Sequence, residues 1–409
     1  MDELIERFIR YAKIDTRARD GGESTPSTPG QRRLAELLAG ELAAFGLERI
    51  TVTDEAYVTA LLPGRGARTD APVIGLIAHL DTATECSGAG VNPRVVENYD
   101  GGAIELGNGV RLSPEAFPVL KKKAGKTLVV ADGTTLLGAD DKAGIAVIMT
   151  VLARLAGDPA RPHPPVAVAF TPDEEIGHGA RLLDLKAFGA DFAYTVDGGG
   201  VGTIEYENFN AALATVSIRG LSIHPGDAKG RMVNAVLLGQ AFLDSLPEGE
   251  RPENTEGRQG FFHVESFEGA VGKAVVRILV RDHGADAFAA KKRFLRDLLD
   301  RLNLKWPAEQ GGEPRFTLEL KEQYRNMAEC VAPHRHIVEN AEKAMRALGI
   351  EPVVNPIRGG TDGAQLSWRG LPCPNLFNGS YNVHGLYEFA VAEEMRLAVD
   401  AILGIVAAY

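Results

Sequence analysis

The sequence predicts an α/β chain: a mostly parallel or mixed sheet flanked by helices, with a smaller α+β domain inserted. Three observations lead there. Short, nearly continuous apolar runs separated by a helical stretch fill residues 49–196, which is how a sheet buried on both faces reads. From about residue 208 the order becomes β-α-β-β-α-β, the split βαβ or ferredoxin-like arrangement. After residue 321 the helix–strand alternation resumes. At 409 residues the chain exceeds one ordinary core. The predicted division is residues 1–207 plus 321–409 as one discontinuous α/β domain, with 208–320 as the insertion.

Taken in order, MDELIERFIRYAK opens a helix with Leu4, Ile5, Phe8 and Ile9 on one stripe. A second helix follows the loop 24–30. Thr28 stands at its cap, Pro29 suits its first turn, Leu34, Leu37, Leu38, Leu42 and Phe45 form its face, and Gly46 ends it. Strands follow at 49–53, 57–62, 73–78, 127–131, 166–170 and 192–196, with a helix at 144–156. The insertion reads as strand 211–219, helix 231–246, strands 261–267 and 274–281, helix 284–302 and strand 315–321. A helix at 334–348, a short strand near 352–356, PNLF at 374–377 and a helix at 390–407 complete the chain.

Hydrophobic residues make up 45% and charged residues 24%, the balance of a globular protein rather than a disordered one. Acidic residues outnumber basic ones 55 to 44, giving a net charge of -11. That sign argues against nucleic acid as a partner. Cys86, Cys330 and Cys373 show no CxxC spacing, so neither a disulfide scaffold nor a cysteine-built metal site is expected. The acidic N-terminus lacks a signal-peptide pattern, and no apolar run is long enough for a bilayer. A cytoplasmic protein without membrane association is the expectation.

The polar residues fall where the apolar strands stop. VIGLIA runs into His79-Leu80-Asp81, VAVAF into Thr171-Pro172-Asp173-Glu174-Glu175, and FAYTV into Asp197 and three glycines. TLVVA is followed by a turn and Asp140-Asp141-Lys142 at a helix mouth, and His384 follows a Gly/Asn-rich loop. Ligands of open parallel sheets bind beyond the carboxyl ends of the strands. Each element alone has an ordinary reading as packing, solvated charge or turn. Together they crowd carboxylates at one edge, where they repel unless a cation compensates. Oxygen and imidazole donors without thiolate suit zinc, cobalt or manganese. No HExxH occurs, so such a site is assembled from distant strands. Leu120 stands where a P-loop ending at Gly125-Lys126-Thr127 needs its first glycine. No GxSxG is present, and the glycines near 198–202 do not continue as GxGxxG.

At HLDT (79–82), VNPRVVENY (91–99), TLLGADDKAGIA (135–146), FTPDEEIG (170–177), YTVDGGGVG (194–202), PIRGGTDGAQLS (356–367) and GLPCPNLFNGSYNVHG (370–385), the sequence resembles the M20 metallopeptidases. Within them it is similar to the enzymes that act on tripeptides. The resemblance implies a zinc-exopeptidase-like sheet, an inserted lid or dimerisation domain with a homodimer as the associated assembly, and two zinc ions per subunit, cobalt or manganese being the alternatives. It implies that His79 and Asp197 hold one ion, Glu175 and His384 the other, and that Asp140 rather than Asp141 bridges them. Asp81 is similar to the carboxylate supporting the ligand histidine, and Glu174 to the general base. His224 matches an oxyanion histidine, and Arg281 and Arg358 match residues associated with substrate binding. The peptide between Asp140 and Asp141 is expected to be cis.

Asp140, Glu175 and Asp197 would set three negative charges against four from two divalent ions, and a hydroxide would supply the fourth. His224, in His-Pro-Gly, also reads as a turn, and the two arginines as structural ion pairs. The implied activity is release of the N-terminal residue from tripeptides. The alternatives are a sister amidohydrolase acting on dipeptides or N-acyl amino acids, and a silent scaffold. Retention of both ion positions and of Glu174 argues against the scaffold.

Overall fold

The computed structural model describes residues 2–22, 24–309 and 311–409; Met1 of the first predicted helix lies outside them. The chain forms two compact units. One comprises Met1–Tyr206, Met327–Asn355 and Thr361–Tyr409, the other Glu207–Asn326 and Pro356–Gly360.

The larger unit is built on an eight-stranded mixed sheet in the order 48–52, 58–62, 166–171, 74–79, 192–198, 375–377, 203–205, 353–354. At its centre Ile74–His79 lies parallel to both Val166–Thr171 and Phe192–Gly198. Glu48–Val52 and Val58–Leu62 add an antiparallel edge. The continuous apolar runs have a direct cause. Val166, Val168 and Phe170 enter one core with the long helices, whereas Ala167 and Ala169 enter a second core with Phe188, Leu366 and Cys373. Period-two alternation thus feeds two cores, and each large aliphatic or aromatic side chain buried there contributes about 1.5–3 kcal/mol. Five helices, Glu3–Ala12, Pro29–Ala44, Ala139–Gly157, Arg335–Ala347 and Ala392–Ala407, supply the larger core.

Four expectations are corrected. The apolar run at 127–131 is not in the large sheet. Leu128–Val130 pairs antiparallel with Arg94–Val96 and Phe389–Val391 in a separate small sheet, where it is equally buried; an apolar run specifies burial, not a partner. The helix expected at 144–156 begins at Ala139, but Asp140 and Asp141 within it have non-helical backbone. The first insertion helix starts at Ala235 rather than 231, because the Asn234 side chain accepts from the Val236 N–H and caps it there. Thr28 does occupy the cap position of its helix, yet makes no cap bond and instead accepts from Gln31 Nε2 at 3.4 Å.

The smaller unit has one antiparallel sheet, ordered 261–270, 273–282, 210–219, 316–324, with helices Ala235–Leu243 and Ala285–Lys305. Ala214, Val216, Ile218, Val276, Ile278, Leu295 and Leu299 form its core. Its second junction falls at Asn326 rather than 320, since Phe316–Tyr324 pairs along Asn210–Arg219 to its end. Residues 321–326 and the segment Pro356–Gly360 therefore belong to this unit, not to the α/β unit.

Candidate metal centre

Three adjacent parallel strands end together. His79 closes one strand opposite Thr171, which closes the next, and Asp197 lies one residue from the end of the third. Asp173, Glu174 and Glu175 follow Thr171 after Pro172, turning through Asp173 in the left-handed region (φ 58). That conformation is held from outside: the Asp173 carboxylate accepts from Ser27 N at 2.8 Å and Gln31 Nε2 at 2.7 Å. Asp140 comes from the irregular start of the helix Ala139–Gly157, and its peptide to Asp141 is cis. His384 sits in the loop between Ser380–Tyr381 and Phe389–Val391, also at positive φ (67).

These segments converge on Asp140. Its Oδ1 lies 2.9 Å from His79 Nε2 and its Oδ2 lies 3.2 Å from His384 Nε2. Asp197 Oδ1 stands 3.7 Å from His79 Nε2, and Glu175 Oε2 stands 3.1 Å from His384 Nε2. One carboxylate is thus shared by two imidazoles, each with a second carboxylate of its own. Asp81 is fully buried and supports both sides. His79 Nδ1 is 3.1 Å from its carbonyl oxygen and 3.3 Å from Oδ1, while its two carboxylate oxygens accept from Glu174 N (2.9 Å) and Glu175 N (3.0 Å).

Asp141 also comes close: donor atoms of His79, Asp141 and Asp197 lie within 4.8 Å of one another. Its oxygens are already used, however. They accept from His79 N (3.3 Å), Gly144 N (3.2 Å) and Asn378 Nδ2 (2.9 Å). Asp141 therefore ties strand, helix and loop together, whereas the two Asp140 oxygens face His79 and His384. Gly144 permits the approach, since a Cβ there would meet Val196 O at 2.1 Å and Asp141 Oδ1 at 2.2 Å.

Electrostatics give the same picture. Burial, then the charge of Asp140, pushes Asp197 up to about 8 and Glu175 up to about 7. Burial, then Asp362, also raises Glu174 well above the carboxylate range. Hydrogen bonds to Asp140 and Glu175 lift His384 to about 11. Burial opposes charge on His79, but Asp197 and Asp140 outweigh it and raise its pKa well above the ordinary value. Crowded acids thus draw positive charge onto the imidazoles, and divalent ions would satisfy the same demand with both rings neutral. Glu175 Oε1 is buried and has no hydrogen-bond partner among the described residues. The residues fit a pair of divalent cations with oxygen and nitrogen ligands.

His224, Arg281 and Arg358 belong to the smaller unit. His224 is exposed, and its Nδ1 accepts from Gly226 N at 3.2 Å, forming the turn its His-Pro-Gly context suggests. Arg358 donates to the carbonyls of Gly257 (2.8 Å) and Gln259 (3.1 Å) and to Thr255 Oγ1 (2.8 Å). Arg281 donates to the Arg358 carbonyl at 3.2 Å, and its buried Nε has no hydrogen-bond partner among the described residues. Sequence reasoning missed two buried acids of the larger unit. Asp362 accepts from Thr171 Oγ1 at 2.8 Å, and Glu388 accepts the backbone N–H groups of Leu137, Gly138 and Asp140. Asp362 carried a signal in the Gly-Gly-Thr-Asp-Gly run; Glu388 carried none beyond following His384 by four residues.

The cluster fits divalent cations, and comparison with known proteins makes the chain a metal-dependent peptide hydrolase. Residues 128–408 match the model of "Peptidase family M20/M25/M40", and the chain belongs to that family. Within it the chain groups with the peptidases T and is a metallo-aminopeptidase. The peptidase T of Caldanaerobacter subterraneus subsp. tengcongensis is 50% identical over 413 residues, covering 100% of this chain and 99% of that one. A tripeptidase structure from Staphylococcus aureus superposes with a TM-score of 0.77 at 20% identity, covering 99% of this chain and 97% of the other. A dinuclear metal-binding M20-family peptidase from Bacillus subtilis gives a TM-score of 0.66 at 16% identity, with coverage of 99% and 97%.

Proposed function

We propose that this chain is a two-zinc aminopeptidase, cobalt and manganese being the alternative metals, that releases the N-terminal residue from tripeptides. The observation that carries the reading is Asp140, whose two oxygens face His79 and His384 at 2.9 and 3.2 Å. His79 and Asp197 are assigned to one ion, Glu175 and His384 to the other, with Asp140 shared. When bound, such a pair lowers the pKa of a shared water and polarises the scissile carbonyl.

The remaining work is assigned to this chain's own side chains. Glu174 adjoins a ligand without being needed as one, so it takes the proton of the attacking water and returns it to the leaving amine. Its raised pKa, set by burial and then by Asp362, favours holding that proton. Asp81 orients His79 and, through the Glu174 and Glu175 amides, the turn bearing the base. Arg281 and Arg358 are assigned to the peptide carboxylate, although the Arg358 guanidinium already serves three oxygens. His224 is assigned to the oxyanion, and the smaller unit to a lid or homodimer contact. No helix among the described residues is long and apolar enough to cross a membrane, and a cytoplasmic site of action is part of the proposal.

The sequence similarity to a peptidase T and the shape of the tripeptidase from Staphylococcus aureus support the tripeptide assignment. The test is turnover of free and N-blocked di-, tri- and tetrapeptides by the zinc-loaded chain. Free tripeptides should be cleaved fastest, and N-acetylation should abolish turnover. Faster cleavage of N-acyl amino acids or dipeptides would favour the sister amidohydrolase instead.

A further inference from the structure

We propose that Glu388 is the positioning residue that couples the two halves of the metal centre, fixing the backbone of Asp140 from the loop that also delivers His384. The inference rests on the two-metal reading above. The Glu388 side chain is 1% exposed, and its carboxylate accepts three backbone N–H groups. Oε2 takes those of Leu137 and Gly138, each at 2.7 Å, and Oε1 takes that of Asp140 at 3.0 Å.

These amides stand just before and within the first turn of the helix Ala139–Gly157, where N–H groups have no acceptor from the helix itself. Asp140 departs from helical geometry (φ -86, ψ 105), so no regular ladder sets where its side chain points. Glu388 replaces that ladder with one buried carboxylate that accepts all three N–H groups. Asp141 cannot do this job, because its oxygens hold His79 N, Gly144 N and Asn378 instead.

The second half of the argument is connectivity. His384 and Glu388 occupy the same loop between Ser380–Tyr381 and Phe389–Val391. Any displacement of that loop moves a ligand and the seat of the bridging ligand together. The hairpin has its own anchor elsewhere: Tyr381 Oη donates to Glu394 at 2.7 Å, and Lys123 reaches the same carboxylate at 2.7 Å. That anchor touches none of the proposed ligands and provides a matched control.

The experiment compares the full-length wild type with Glu388→Gln, Glu388→Asp and Glu394→Gln. Zinc affinity and stoichiometry are measured by calorimetry and mass spectrometry, hydrogen exchange is followed over residues 136–143, and kcat and KM are determined on a tripeptide. Glu388→Gln should weaken zinc binding by about 10–100-fold, the range for a lost partner behind the ligands. It should also speed exchange at residues 137, 138 and 140 and lower kcat more than KM. Glu388→Asp, which keeps the carboxyl group one methylene short, should fall between; if Glu388→Gln does not fold, it carries the test. Glu394→Gln should lose Tm while keeping zinc affinity. Wild-type affinity and exchange in Glu388→Gln would overturn the proposal and leave the two-metal reading intact. Equal zinc loss in Glu394→Gln would also overturn it. A wild-type chain that binds no zinc would instead remove the two-metal reading.

Discussion

His79 and His384 approach the same aspartate at 2.9 and 3.2 Å, yet they arrive on different kinds of structure. His79 ends a strand buried along its whole length, its side chain is 3% exposed, and Asp81 holds its second nitrogen. His384 comes from a loop in left-handed backbone, its side chain is 39% exposed, and its second nitrogen stands 3.9 Å from the exposed Glu85. The first half is preorganised by the sheet. The second takes its order from long-range contacts of its loop, and loops are where solvent access and adjustment are available. A peptidase needs both: a fixed donor set and an open side for the substrate to enter.

The largest expected effect comes from the residue both halves share. Asp140→Ala should strip metal from both, and kcat/KM should fall by about 10⁴-fold or more, as expected when several kcal/mol of charge stabilisation are lost. Retention of two ions by this variant would break the comparison at its base. Next comes the pair of glutamates. Glu174→Ala should keep both ions and lose about 10²–10⁴-fold in kcat, the range for a general base. Glu175→Ala should instead lower metal occupancy, read by mass spectrometry on the same samples. Metal loss in Glu174→Ala equal to that in Glu175→Ala would undo the division of labour.

A smaller difference separates the two supporting acids. Asp81→Asn should cost about 10–100-fold in metal affinity, whereas Glu85→Gln should change it by less than about threefold, because an exposed carboxylate is strongly screened. Equal effects would mean that both histidines are held alike.

The smallest effect on activity is expected at Glu394. Burial raises its carboxyl, but hydrogen bonds from Lys123, Lys126 and Tyr381 outweigh this and hold it below the ordinary range. With a folded pKa below the unfolded value of about 4.3, the group stabilises the fold above that value and loses the contribution as pH falls through the lowered one. Glu394→Gln should lower Tm at neutral pH, by the equivalent of about 3–5 kcal/mol for a broken buried pair, and flatten the acid-side decline. Its kcat per bound metal should match wild type. A changed kcat would mean that the hairpin anchor reaches the site after all.

Much of this was written locally in the chain. Runs such as VIGLIA and VAVAF specify strands buried on both faces, and the polar residues that stop them mark the edge where His79, Glu174, Glu175 and Asp197 gather. The alternation from residue 208 onward specifies a four-stranded sheet with two helices, which is what forms. What the tertiary structure decided was partners. Leu128–Val130 satisfied its pattern in a different sheet, because hydrophobicity fixes that a face is covered and not by what. The contacts that distinguish Asp140 from Asp141 are tertiary too: Gly144, Asn378 and the His79 amide donate to Asp141, whereas Asp140 faces His79 and His384. Pro356–Gly360 joined the smaller unit, where Arg358 spends its donors on carbonyls about a hundred residues away. Glu388 lies 251 residues from Leu137, whose amide it holds. Local periodicity cannot encode a hydrogen bond of that span; only the folded backbone, bringing an uncapped helix start beside a buried acid, creates the need and meets it.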